Sequence, residues 1–196
     1  MRRTYHDAGG VNRKMRPVPQ CAIDFVAQHE ACRLRAYLDS ASTWTIGYGH
    51  TLGVTQSSAC SSVQAAAWLE EDLGIAAKRL AGVVDEAVIL KLTDHQYAAL
   101  LSFVFNCGAP PKATLWAELN AGKLDQVPAQ LQRWIYAAGK IVPGLVNRRA
   151  AEVELWKTPD QEWPAPVPNP SSAVTRDAVQ PVQHAGLIAK LRNLFA

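Results

Sequence analysis

The chain has 196 residues, 48% of them hydrophobic, six of them tryptophan, with a formal net charge of +3. That is enough apolar material for one sizeable core, while the longest apolar run, Tyr97 to Phe105, is broken by Ser102 and falls far short of the roughly 20 residues a membrane span requires. The charge is uneven: residues 1 to 18 hold five cations (Arg2, Arg3, Arg13, Lys14, Arg16) against Asp7, a local balance of +4, so the remainder carries −1 and a basic nucleic-acid surface is excluded outside that tail.

In chain order, residues 1 to 18 read as a basic, flexible N-terminal tail. Arg2-Arg3 is followed by no apolar segment before Pro19, so no export signal is recognised. Pro19 suits the first turn of a helix, in which Ile23, Val26, Ala27 and Glu30 share one stripe and Glu30 falls near the end on the apolar side. From Thr43 to Thr51 the period changes to two. Trp44, Ile46, Tyr48 and His50 then share one strand face, and Thr45, Gly47, Gly49 and Thr51 the other. That second face is nearly bare, which would let a bulky ligand approach the backbone beneath Asp39 in the preceding turn.

A carboxyl at a partly apolar helix end and another on a polar turn suit acid–base work on a glycosidic bond. Burial favours the protonated form of Glu30, and turn amides with solvent favour the charge of Asp39. Spacing alone fits equally a helix-end glutamate paired with Arg33 or Arg35 and an Asx turn at Asp39-Ser40.

Leu52 to Cys60 reads as a loop. Ser61 with Gln64 forms a capping box for a helix to about Leu80, with Leu69, Leu73, Ala76 and Leu80 on its core stripe. Thr93 with Gln96 opens another, with Tyr97, Leu100, Leu101 and Val104 on one face, ending at Phe105-Asn106-Cys107-Gly108 before Pro110-Pro111. Further helices are expected around Ala113 to Asn120, Leu124 to Ala138 and Leu145 to Trp156. Cys21, Cys32, Cys60 and Cys107 show neither a CxxC pair nor zinc spacing. Cys21 and Cys32, taken on one helix about 16 Å apart, are beyond disulfide reach, so free thiols are expected. The histidines are scattered, no metal site is expected, and His50 reads as a structural histidine bonded to a carboxylate. Pro159 to Pro181 holds six of the chain's twelve prolines, which makes 159–182 a linker. Beyond it, residues 183–196 form an amphipathic cationic helix with Leu187, Ile188, Leu191, Leu194 and Phe195 on one face, flanked by Lys190 and Arg192. It either docks on the domain or contacts an anionic membrane.

The segment with Glu30, Asp39 nine residues on, Thr45 six further and then IGYGHT resembles the active-site stretch of the phage-type lysozymes, the endolysin muramidases of glycoside hydrolase family 24. The resemblance continues through Ser102–Gly108 (SFVFNCG) and Gly144–Trp156 (GLVNRRAAEVELW), and spans about residues 19 to 158. It implies an α+β, mainly helical, two-lobed domain in which a long helix joins a small β-sheet lobe to a helical lobe. It further implies catalysis by Glu30, Asp39 and Thr45, with Thr51, Phe105, Asn106 and Thr114 near the glycan. An arginine set against Glu30 is expected from Arg148 or Arg149, and matching the Asn-Arg pair favours Arg148. The expected substrate is the β-1,4 bond between N-acetylmuramic acid and N-acetylglucosamine in peptidoglycan, cleaved with inversion by a cofactor-free monomer. Lacking an apolar anchor, such an enzyme would be made in the host cytoplasm and reach the wall through a membrane lesion made by another protein. Two rivals are a lytic transglycosylase acting on the same bond and a non-catalytic wall-binding or membrane-active protein. Ala31 and Ala138 stand where the family pattern often has glycine, which puts local loop geometry in question.

Overall fold

The computed structural model describes residues 5–6, 12–13, 16–39 and 41–160. The helix expected at 183–196 lies outside these residues, as does all of the expected linker except Pro159 and Asp160. Within the N-terminal span, β1 (Tyr5–His6) and β2 (Asn12–Arg13) pair antiparallel. Arg16 is anchored: its guanidinium donates to Ile89 O at 2.9 Å and Leu92 O at 2.7 Å, meets Asp94 at 2.6 Å and lies 4.8 Å over the Tyr97 ring. A charge count cannot find this, because two of the acceptors are backbone carbonyls more than 70 residues away.

Helix α1 (Gln20–His29) follows Pro19, which sits at the N-cap with extended backbone. It buries Ala22, Phe25 and Val26 and ends with Glu30 as its C-cap. Cys32 therefore lies beyond the helix, off the axis it was expected to share with Cys21, and all four cysteines are unpaired.

The chain next forms a strand that helical periodicity hid, β3 (Arg33–Leu38), paired antiparallel with β4 (Trp44–Gly47) with an irregular register between Arg33 and Tyr37. An isolated bridge from Arg35 to Ala59 backs β3 on its other edge. The expected strand through Thr51 stops at Gly47. Gly47 and Gly49 adopt φ of +62° and +97°, and Ile46 and His50 exchange both backbone hydrogen bonds at 2.9 Å, so the chain reverses in a tight turn. Positive φ at both positions explains the glycines. Gly47 is not left open for ligand: a Cβ there would sit 3.2 Å from the Cβ of Ala65, so this glycine lets the long helix α2 pack directly on the strand, whereas a Cβ on Gly49 would meet nothing within 4 Å.

Helix α2 (Ser62–Ala81) is capped by Ser61, whose hydroxyl accepts from Gln64 N–H, and buries Leu69, Leu73, Ala76 and Leu80 as its stripe requires. After the short α3 (Glu86–Ile89) comes α4 (Asp94–Cys107), opened by a reciprocal capping box of Thr93 and Gln96. Its first-turn donors have a further acceptor. Asp160 accepts from Asp94 N–H and His95 N–H, both at 3.0 Å, and so ties the chain after α7 to the start of α4. Every residue of α4 from Tyr97 onward is buried, where one apolar face was expected. The reason is its position: α1, α2 and α7 (Pro143–Lys157) all pack on it.

Between them lie α5 (Thr114–Asn120), a 3-10 turn (Leu124–Gln126) and α6 (Val127–Leu131). The helix expected to continue to Ala138 ends here. Pro128 sits in the first turn of α6, and Tyr136–Ala137 (β5) pairs with Lys140–Ile141 (β6) around a two-residue turn. In that turn Ala138 and Gly139 have φ of 49° and 74°, the left-handed pair of a primed hairpin turn. The architecture is mainly helical, with small antiparallel pairs held against it.

Candidate active site

Glu30 comes to its place because α1 runs out there. Its side chain is 4% exposed and lies against Arg148, whose Nη1 donates to Glu30 Oε1 at 2.5 Å across 118 residues of sequence. Arg148 is the arginine that meets the acid. Its Nε donates to Glu152 Oε1 at 3.3 Å, and its Nη2 donates to the Ser102 hydroxyl at 3.2 Å. Burial pulls the Arg148 guanidinium down, but the carboxylates of Glu30 and Glu152 outweigh it and hold the group above its ordinary value.

Arg149, wholly buried, donates to Glu152 Oε1 at 2.8 Å, to Asn106 Oδ1 at 3.1 Å and to Cys107 Sγ at 3.0 Å, and lies 5.0 Å over the Phe103 ring. Neither arginine is the surface charge that helical spacing with Glu152 and Glu154 would also permit. Sequence reading left Glu152 and Ser102 out of the site. A glutamate four residues after an arginine normally signals a solvated helix pair, and only burial turns it into part of a polar core.

Asp39 sits in the hairpin turn between β3 and β4. Its Oδ1 accepts from Ala41 N–H at 2.8 Å and Thr43 N–H at 2.9 Å, the Asx-type geometry that aspartate adopts in turns. Its Oδ2 is buried with no hydrogen-bond partner among the described residues. Thr45, 3% exposed and paired in register with Tyr37, donates its hydroxyl to Thr43 O at 3.0 Å. Asp39 and Thr45 are thus tied to one backbone residue, Thr43. Tyr37, the register partner of Thr45, has its phenol pushed above its ordinary value by burial, opposed by Arg33 and reinforced by the negative charges of Glu30 and Asp39.

The other expected residues are placed less centrally. Phe105 and Asn106 are 1% and 2% exposed, and the amide oxygen of Asn106 is occupied by Arg149. Thr114 is exposed at the start of α5, and Thr51 is half-buried just past the turn. His50 has the structural role expected of it: Nδ1 lies 3.1 Å from Asp72 Oδ2 and Nε2 3.1 Å from Leu52 O, with the ring stacked 4.8 Å from that of Trp68. Among the described residues no group of three His, Cys, Asp or Glu side chains could hold a metal ion, and no helix is long and apolar enough to cross a membrane.

A helical body with a buried acid at the end of its first helix, and a hairpin carrying a second carboxyl, has the form of a lysozyme-type glycan hydrolase. Comparison with known proteins gives the family: the phage lysozyme family model matches residues 27–152, and the chain belongs to that family. It is 34% identical over 147 residues to an endolysin of Acyrthosiphon pisum secondary endosymbiont phage 1, covering 72% of this chain and 98% of that one. With a SAR-endolysin of Escherichia phage Mu it shares 37% identity over 122 residues, 61% of this chain and 69% of the relative. Among solved structures it resembles the muramidase domain of SpmX from Asticaccaulis excentricus, with a TM-score of 0.66 and 26% identity over 74% of this chain and 100% of that one. The active form of P1 phage endolysin Lyz follows at a TM-score of 0.62 and 25% identity, covering 70% and 83%. The protein is a peptidoglycan-degrading lysozyme of endolysin type that acts on the bacterial cell wall.

Proposed function

We propose that the protein hydrolyses the β-1,4 bond between N-acetylmuramic acid and N-acetylglucosamine, with Glu30 as the acid that protonates the leaving oxygen. Asp39 stabilises the oxocarbenium-like transition state and, with Thr45, holds the attacking water on the opposite face of the ring, so the anomeric centre inverts. The observation that carries this reading is the division of labour within Asp39. Oδ1 is fully engaged by two turn amides, while the buried Oδ2 has no partner among the described residues and is left to face developing positive charge or a water. Thr45 fits the same role, because a hydroxyl proton committed to Thr43 O leaves lone pairs to accept from that water. A transglycosylase needs no water-holding pair, so the same feature speaks against that alternative. Thr51, Phe105, Asn106 and Thr114 are read as the glycan-binding surroundings, with Arg148 in support.

On this reading the enzyme is a monomer that binds no nucleic acid, is made in the host cytoplasm, and crosses the membrane through a lesion made by another protein. The segment 183–196, expected as an amphipathic helix, either docks on the domain or, through Leu187, Ile188, Lys190, Leu191, Arg192, Leu194 and Phe195, contacts anionic lipid. Deleting residues 183–196 without loss of binding to anionic vesicles would refute that contact.

The central test digests purified peptidoglycan with the protein and with Glu30→Gln. Reducing N-acetylmuramic ends, lost in the variant, are expected by mass spectrometry, and NMR of the nascent anomer is expected to show inversion. Anhydro ends would identify a transglycosylase, and no fragments at all from folded protein would leave a wall-binding role.

A further inference from the structure

The cluster behind Glu30 holds more charge than a clamp requires. From α7 come Arg148, Arg149 and Glu152, and from α4 come Ser102, Asn106 and Cys107; His29 of α1 feels the charges of Arg148 and Glu152, and Tyr37 of the hairpin feels that of Glu30. Several of these are uncharged at neutral pH. Burial pushes the His29 ring below its ordinary value, and pushes the Cys107 thiol and the Tyr37 phenol above theirs. In the helical half there remain two guanidiniums and two carboxylates, Glu30 and Glu152. Glu152 is 0% exposed, and its Oε1 alone accepts from Arg148 Nε, Arg149 Nη2 and the Ser102 hydroxyl, at 3.3, 2.8 and 2.7 Å.

Those contacts set a problem that Glu152 solves. An acid catalyst must carry a proton, yet a guanidinium at hydrogen-bond distance favours the anion, and a second buried guanidinium beside it would favour the anion further. We propose that Glu152 is a positioning residue for the reaction: it fixes the Arg148 side chain that meets Glu30 and offsets the second guanidinium, so that Glu30 can hold the proton it delivers. The inference rests on the reading of Glu30 as the acid. Glu152 acts through the arginines and touches no substrate.

Because charge and shape can be separated here, the test is a set of four proteins: wild type, Glu152→Gln, Arg149→Met and the double variant. For each, kcat/KM is measured against pH on solubilised peptidoglycan fragments, with folding checked by circular dichroism. Glutamine keeps an acceptor for the same donors and removes only the charge. The alkaline limb of Glu152→Gln is expected to move down by about one pH unit, and that of Arg149→Met to move up by a similar amount. The double variant, again balanced, is expected to return to within about half a unit of wild type. A merely structural Glu152 would lower activity or Tm with no displacement of the limb, or the two single variants would move it the same way; either result overturns the proposal. Should Glu152→Gln fail to fold, Arg149→Met decides alone, an upward limb supporting the proposal and an unmoved one overturning it. Glu30→Gln, run alongside, keeps the two readings apart, because retained activity there sinks the acid assignment whatever the limbs do.

Discussion

The hairpin and the helical body hold their share of the site by different means. On the hairpin, Asp39 and Thr45 are fixed by hydrogen bonds to backbone groups no more than four residues away. On the helical body, Glu30 is fixed by a side chain 118 residues away, which is itself held by Glu152 and Ser102. The first arrangement is local, the second long-range, and both are buried. A charge change on the hairpin should therefore alter chemistry while sparing the fold, and the same change in the helical body should alter both.

The sharpest way to break that contrast is Arg148→Met. It leaves Glu30 and Glu152 facing each other without their shared cation, and removal of one partner from a buried ionic cluster costs about 3–5 kcal/mol. A fall in Tm on the order of 10 °C by calorimetry is expected, together with loss of activity; an unchanged Tm would mean that the cluster does not stabilise the fold. Asp39→Asn is the hairpin counterpart. The amide oxygen can still accept from Ala41 and Thr43, so stability should change by no more than about 1 kcal/mol, while loss of the charge should lower kcat roughly 100-fold or more in a turbidity assay.

Two smaller effects probe turns and caps. Asp160 caps α4, and although burial acts the other way, the His95 and Asp94 N–H donors hold its carboxyl below the usual value of 3.8. With the folded value below the unfolded one, the stabilisation is present above about pH 4 and is lost as pH falls through the folded value. Denaturant titrations of wild type and Asp160→Ala should differ by about 0.5–1 kcal/mol at pH 6 and converge near pH 2.5. Ala138→Gly relieves a left-handed alanine in the β5–β6 turn, and is expected to raise stability by up to about 1 kcal/mol in the same titration.

What the sequence showed follows the same division. The capping box at Thr93 and the stripe of α2 depend on neighbours a few residues apart, so both were legible. So was the departure at Ala138, although its cause, a positive φ, was not. Strand β3 was missed because the helical stripe was carried past Glu30 as far as Cys32, across a helix end that only the backbone reveals. The strand through Thr51 was overextended because alternation persists across a turn that only backbone dihedrals reveal. Glu152 was invisible for a different reason: nothing in the spacing of Arg148, Arg149 and Glu152 distinguishes a dry polar core from a solvated helix face. The resemblance supplied the pairing of Arg148 with Glu30, which no local pattern could.

The seating of Gly47 on Ala65 has a mechanical corollary. His50 stacks on Trp68 and meets Asp72, so the hairpin touches α2 at positions 65, 68 and 72, one stripe along about two turns of that helix. Hairpin and helix are riveted at three points, and the rivets stiffen against tilting as well as sliding. Swinging the hairpin away from the helical body would drag the first half of α2 along as a rigid boom. The compliance must then come from its far half, where Leu73, Ala76 and Leu80 lie against the core, or from the backbone between Glu30 and Arg33.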